Sequence, residues 1–365
     1  MRVALCADVH IGNHKVHGGG VVAGVNRRCS LVLDSLRKAY AEAMRQQCSA
    51  MIIAGDLFDV ANPPPQHLAA VQDILKDART TRVQTFILLG NHDMVSAEKG
   101  DHALGPLRPY AKIIDTPQKV FLSEGKETLE MWLVPFMAGP ADEWFPAVLD
   151  EMAKADPPTS TDPHRLLAFH LGIQDAKTPP WLVGSYDSIH VDTVLGLLDM
   201  HSIKAAFAGN WHSPQSWNRR RIVQIGALTP TGFDNPGVGI GTMAVYDTQS
   251  QAACATIEIP GPRFLTNMGD AKDAADAGCI PFVRLSGGPD TPKIKATLEA
   301  IGATVDVLPD TAEAQAAFRS AAGAVRSAES VDEAVAAYVS QMPLDDATLR
   351  PLVLEKVTQF LRGAS

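Results

Sequence analysis

Residues 85–93 read TFILLGNHD, and the fold turns on how that stretch is taken. Thr85–Leu89 is a short apolar run of the kind that forms a strand buried on both faces. It stops at Gly90, and Asn91, His92 and Asp93 follow directly. The same arrangement recurs. Val3–Ala7 ends in Asp8-Val9-His10, and Met51–Ala54 ends in Gly55-Asp56. Leu166–Phe169 ends in His170, and Ala205–Ala208 ends in Gly209-Asn210-Trp211-His212. Ligands of α/β sheets bind at the carboxyl edge of the strands. These polar side chains are therefore expected to converge on one site.

Helical periods lie between the early strands. Leu36, Ala39, Tyr40, Ala43 and Met44 follow an i, i+3, i+4, i+7, i+8 pattern. Leu68, Val71, Leu75 and Ala78 repeat it after the breaker Asn62-Pro63-Pro64-Pro65. Alternating strand and helix predicts a βαβαβ unit with parallel strands. From Leu166 onward the strands, including Ile222–Ile225 and Met243–Tyr246, come closer together behind Gly-rich turns. That suggests antiparallel additions in a two-sheet sandwich covered by helices. Pro260-Gly261-Pro262 reads as a boundary. After it come a strand at Pro281–Leu285, a helix at Thr291–Ile301 and a strand at Ala303–Leu308. The alanine-biased remainder reads as helix, with apolar stripes at Val331, Val335, Tyr338 and Val339 and at Leu349, Leu352, Val353, Val357, Phe360 and Leu361. Such stripes either pack on their own domain or offer a groove to a partner helix. The expected division is 1–260, 261–312 and 313–365.

The chain has 365 residues, 46% of them hydrophobic, and a net charge of −9. That much apolar material excludes disorder as the main state. No apolar run approaches the ~20 residues of a membrane span. Asp8 and His10 break the N-terminal run, so a signal peptide is not expected. Five scattered cysteines without a CxxC pair indicate neither a zinc ribbon nor a disulfide framework, and a reducing, cytosolic setting is expected. The acidic balance argues against a general nucleic-acid coat protein, yet it is compatible with a metal-bearing site that handles phosphates.

Two carboxylates with several imidazoles and amide oxygens form a ligand set for manganese, iron or zinc. The two aspartates offset half the charge of two divalent ions, which leaves a locally positive site for a phosphate. A carboxylate bridging two ions about 4 Å apart is the arrangement for in-line attack on a phosphate ester. Each residue alone has an ordinary reading: Asp8 or Asp56 as a helix cap or turn former, His170 as a core histidine, Asn91-His92 as a turn. Those readings together need independent coincidences at five strand ends. His14, His17, His67, His102, His164, His190 and His201 lack this context and read as surface or packing residues, although His14 and His17 could border a substrate. Arg219-Arg220-Arg221 is either a phosphate contact on a DNA track or a solvated hairpin. Trp211 and Trp217 either stack on bases or pack.

Asp8-x-His10, Gly55-Asp56, Gly90-Asn91-His92-Asp93, His170 and Gly-x-x-His212 resemble the five motifs of calcineurin-like metallophosphoesterases. DVHIG at the start, GDLFDVANPPP and GALTPTGFDNPG are similar to the SbcD-type nuclease subunits of repair and recombination exonucleases, bacteriophage versions included. By motif the resemblance spans about Met1 to Asp247. It implies an αββα sandwich, a small α/β cap and C-terminal helices that bind a partner. It implies a first metal on Asp8, His10, Asp56 and His212. The second would rest on Asp56, Asn91, His170 and Asn210, with Asp56 bridging, and the ions would be manganese or alternatively magnesium. His92 becomes the catalytic histidine, Asp93 its orienting neighbour, and a metal-activated water the nucleophile. The implied activity is a 3′-to-5′ double-strand DNA exonuclease with single-strand endonuclease activity. The implied partners are DNA and an SMC-like ABC ATPase of SbcC type, with the chain as a homodimer inside a heterotetramer. The likeness also favours the partner groove for the C-terminal stripes.

The family's last motif usually reads Gly-His-x-His, and here it is Gly209-Asn210-Trp211-His212. An amide oxygen is a poorer donor than imidazole for such ions, so weakened second-metal binding and low activity are expected. Two other classes stay open: a nucleotide or phosphoprotein phosphoesterase, and a non-catalytic DNA-end binding subunit.

Overall fold

The computed structural model describes residues 1–14, 19–96, 100–155, 164–178, 183–233, 241–250 and 255–308. The strands are β1 (Arg2–Cys6), β2 (Val21–Val22), β3 (Val25–Asn26), β4 (Ala50–Ile53), β5 (Gln84–Leu88), β6 (Lys112–Ile114), β7 (Gln118–Glu124), β8 (Glu127–Val134), β9 (His164–His170), β10 (Gly172–Gln174), β11 (Ser188–His190), β12 (Ala205–Gly209), β13 (Gln215–Trp217), β14 (Ile222–Gln224), β15 (Gly241–Asp247), β16 (Ala255–Ile259), β17 (Pro262–Leu265), β18 (Ile280–Ser286) and β19 (Thr304–Leu308). The α-helices are α1 (Arg27–Arg45), α2 (Pro65–Arg79), α3 (Ala141–Ala155), α4 (Val191–Met200), α5 (Met268–Asp276) and α6 (Thr291–Ala300).

Two six-stranded sheets form the body, in the orders β16-β15-β1-β4-β5-β6 and β13-β14-β12-β9-β8-β7. The period-two alternation of a strand explains how they stack. Val3 and Leu5 face the second sheet, packing with Ile52, Leu88, Met131, Leu133, Leu166 and Phe207. Ala4 and Cys6 face the other way, toward Val32, Leu36 and Tyr40 of α1 and Val71 and Leu75 of α2. Under α3 and α4, Trp132, Phe169 and Ala206 pack on Phe145, Leu149, Val194 and Leu198. Helices thus cover both outer faces, and the expected αββα sandwich is the fold.

The strands β1, β4, β5 and β6 run parallel, as do β8, β9, β12 and β14. β15, β16, β13 and β7 add antiparallel. β9, β12 and β14 therefore depart from the antiparallel additions expected from Leu166 onward, and α4 supplies a helix where little was foreseen. Met44 also departs from its stripe. It is 50% exposed, while Ala43 beside it is fully buried.

Beyond Pro260, β17, β18 and β19 form a separate parallel sheet carrying α5 and α6. The first strand and helix of that unit were not legible in the sequence. The C-terminal stripes lie outside the described residues. Cys6, Cys29, Cys48 and Cys279 are buried free thiols. Among the described residues, no helix is long and apolar enough to cross a membrane.

Candidate metal centre

The carboxyl ends of β1, β4, β5, β9 and β12 meet at one edge of the sandwich. Asp8 and His10 follow β1, Asp56 follows β4, Asn91 and His92 follow β5, His170 ends β9, and Asn210 and His212 follow β12. The first five come from one sheet and the last three from the other. Hydrogen bonds lace the turns together. Val9 and His10 N–H donate to the Asp56 carbonyl at 2.9 and 3.1 Å. His92 N–H donates to Asp56 Oδ1 at 2.9 Å, and Asn210 N–H donates to Asp8 Oδ1 at 3.0 Å.

The backbone is forced here. Asp8, His10, Asp56 and Asn210 all have φ in the left-handed region, at 51, 51, 50 and 83°. Each such non-glycine residue costs about 1 kcal/mol, and strain of this kind concentrates at functional sites. Glycine is required beside the donors. A Cβ at Gly55 would lie 2.0 Å from His170 Nδ1, and one at Gly90 would lie 2.1 Å from Asp56 Oδ1.

Donor atoms converge in two groups that share a carboxylate: Asp8 with His10 and His212, and Asp8 with Asp56 and His170. His10 Nε2 lies 3.0 Å from His212 Nε2 and 3.8 Å from Asp56 Oδ2. His170 Nδ1 donates to the Ala54 carbonyl at 2.7 Å. That leaves its Nε2 facing two acceptors, Asn91 Oδ1 at 3.0 Å and Asp56 Oδ2 at 3.4 Å. Lone pairs pointed at one another in a buried site need a proton or a cation between them. The residues present therefore fit divalent ions, which the two-group arrangement can hold.

Electrostatics reflect the same crowding. Burial alone would raise the Asp56 carboxyl, but His170, His10 and His92 around it hold it well below the usual carboxylate range. Burial would lower His170, yet the Asp56 and Asp8 charges and the Ala54 carbonyl push it up to about 9. His212 goes down, chiefly through burial.

Asp59 was missed in the sequence, although it stands three residues past Asp56 in GDLFD. His92 Nδ1 donates to its carbonyl at 3.0 Å. Its carboxylate lies 3.6 Å from His10 Nδ1, an ion-pair contact rather than a hydrogen bond. It also groups with His10 and His92 as a third donor cluster. Asp93, expected to orient His92, is occupied elsewhere. Its fully buried carboxylate accepts backbone N–H from Phe58 at 2.9 Å, Gly90 at 3.1 Å and Leu57 at 3.4 Å. Burial and the nearby Asp56 charge push it up to about 7.

The Asn210 amide is anchored on Asp187, donating to its carbonyl at 3.0 Å and to its Oδ2 at 3.2 Å. His14 is half-buried near Arg28, Asp59 and His10, and burial first, then Arg28, lower it to about 4. Arg219, Arg220 and Arg221 are not at this edge. They form the β13–β14 turn, and Trp217 pairs with Ile222 there while Gln215 pairs with Gln224 near the site. Because β14 runs parallel to β12, its amino end and that turn lie at the opposite end of the sheet. Arg221 is also committed to Asp199 and the Ile203 carbonyl. Trp211 packs on Gly172, and Trp217 Nε1 donates to Asp175 at 2.9 Å.

The DNA double-strand break repair protein Mre11 of Methanocaldococcus jannaschii is 22% identical over 186 residues, covering 51% of this chain and 46% of that protein. The Mre11 protein of Methanopyrus kandleri is 27% identical over 94 residues, covering 26% and 19%. The chain thus spans less than half the length of either curated relative. The crystal structure of TT1561 of Thermus thermophilus aligns with a TM-score of 0.44 at 13% identity, covering 71% of this chain and 98% of that one. The calcineurin-like phosphoesterase family matches residues 1–214, the span that holds both shared-carboxylate groups. This chain belongs to that family, whose members use divalent metals.

Proposed function

We propose that this chain is a DNA nuclease subunit that hydrolyses phosphodiesters with two divalent ions. The observation that carries the reading is the meeting of two donor groups, Asp8 with His10 and His212 and Asp8 with Asp56 and His170, across which Asp56 Oδ2 lies 3.8 Å from His10 Nε2 and 3.4 Å from His170 Nε2. In this reading Asp8, His10, Asp56 and His212 hold the first ion. Asp56, Asn91, His170 and Asn210 hold the second. Manganese suits this mixture of carboxylate, imidazole and amide donors. When bound, the ions supply Lewis acidity toward the phosphate oxygens.

The chain's own side chains do the rest. His92 is exposed, and its Nδ1 is spent on the Asp59 carbonyl, so its Nε2 is left to meet substrate. From there it can protonate the leaving oxygen. Asp59 fixes that ring and steadies His10, while Asp93 braces the loops that carry Asp56 and Asn91. The two Mre11 relatives, named for double-strand break repair, support DNA as the substrate class. In this reading an SMC-like ATPase docks on residues 313–365 of a dimeric subunit, with 261–312 as a cap.

The test gives the purified chain manganese with end-labelled linear duplex, and in parallel with p-nitrophenyl phosphate, nucleotides and a phosphopeptide. Manganese-dependent nucleotide release from the duplex is the expected result. Hydrolysis of monoesters alone would overturn the DNA reading. The Asn210–Asp187 contact favours one second reading, a subunit that binds DNA ends without cutting them, and duplex binding with no turnover would establish it.

A further inference from the structure

His212 is held from behind. Its Nδ1 lies 3.4 Å from Thr231 Oγ1, which fixes the ring while Nε2 faces His10. The Thr231 carbonyl accepts in turn from Arg28 Nη2. Arg28 is the second residue of α1 and is 5% exposed. Its guanidinium lies over the ring of Phe264, 4.9 Å from the centroid. Phe264 belongs to β17, in the small sheet.

That ring is itself well placed. It stacks on Phe282 of β18 at 5.0 Å and 25°. It takes Phe233, two residues past Thr231, edge-on at 5.1 Å. Phe233 lies under the Arg284 guanidinium at 4.2 Å, and Arg284 Nε donates to Asp306 of β19 at 3.1 Å. A cluster of three rings, with one guanidinium at each end, thus connects α1 through the loop behind His212 to the small sheet.

A guanidinium can play both parts at once. It donates in its plane and stacks through its faces, which an ammonium cannot do. We propose that Arg28 is a positioning residue for His212. It pins Thr231, and so the hydroxyl behind the imidazole, while Phe264 covers its face. How the small sheet is seated then sets how firmly His212 holds an ion. The inference rests on the metal-centre reading above.

The experiment is a cobalt titration of the full chain followed by visible absorption, with circular dichroism as the check on folding. The unaltered chain should show two binding events. Arg28→Lys should weaken one of them about tenfold, as loss of a ligand's hydrogen-bonded support does, and leave the other in place. Phe264→Leu, which keeps Arg28 and every proposed ligand, should weaken the same event to a smaller extent. It carries the test alone should Arg28→Lys fail to fold. Thr231→Val should act on that event too, and combined with Arg28→Lys should add little, because both act through one connection. Unchanged affinities in the variants, or equal weakening of both events, would overturn the proposal while leaving the metal centre standing. No cobalt uptake by the unaltered chain would overturn both.

Discussion

His10 Nε2 and His212 Nε2 face each other at 3.0 Å although 202 residues separate them. Two nitrogens each about 2.1 Å from one ion, at right angles, stand about 3 Å apart. The fold itself holds that spacing, so an ion needs little rearrangement to enter. Binding only to the folded state, it should stabilise the chain. With manganese at a hundredfold excess over its dissociation constant, the gain is about 2.7 kcal/mol per site. Urea unfolding with manganese and with a chelator measures it, and identical curves would contradict the site.

Asp56 Oδ2 stands between His10 and His170, one from each donor group, at 3.8 and 3.4 Å. Asp56→Asn removes the charge and should lower the manganese-dependent hydrolysis rate about a thousandfold, the several kcal/mol that metal-ion stabilisation supplies. Calorimetric titration should show the loss of ion binding directly. A variant with full ion uptake and full rate would exclude Asp56 as the bridging group.

His170 gives the pH dependence. Its pKa is raised from 6.5 to about 9: burial lowers it, but the Asp56 and Asp8 charges and the Ala54 carbonyl outweigh that. Its contribution to apoprotein stability is therefore complete below about pH 6.5 and is lost as pH rises through about 9. An entering ion displaces the same proton, so metal affinity should climb across that window. Unfolding in chelator and cobalt titration, both at pH 6, 7.5 and 9, should move in opposite directions. Two flat profiles would mean that His170 is neutral throughout.

Asn210 gives up both amide hydrogens to Asp187. Asn210→His trades those contacts for an imidazole donor. We expect tighter uptake of the second ion and about tenfold faster manganese-dependent DNA degradation, a single ligand's share. No gain in either would mean that position 210 does not limit the centre.

Asp93 holds three backbone donors from two loops. Asp93→Ala leaves those N–H groups buried without acceptors, at about 1 to 3 kcal/mol each before relaxation. A loss of about 3 kcal/mol in urea unfolding is expected. A variant as stable as the parent would place the brace elsewhere. By contrast, Arg219→Ala with Arg220→Ala sits at the far end of the sheet and should leave the cleavage rate within about twofold, the scale of a surface change.

Much of the sandwich was legible because its strands are apolar runs closed by polar residues. Residues Val3–Ala7 and Thr85–Leu89 announce both the strand and the direction in which its donors point. The helices α3 and α4 were harder to read. α3 carries Pro146 inside it, and α4 follows β11, a strand only three residues long. At the site, the strand-end donors were readable from residue type alone. Asp59, Thr231 and Asp187 were not, since each acts through its backbone carbonyl or reaches a residue distant in sequence. The Arg219–Arg221 turn misled for a related reason: nearness to His212 along the chain says nothing of which end of a strand it occupies.

The donors come from both sheets, and that division makes the centre a fastening as well as a workplace. Ions seated there would rivet the two halves along one rim. Amide hydrogens near the ends of β1, β4, β9 and β12 should then exchange more slowly in the loaded protein, and stripping the metal should let the seam breathe.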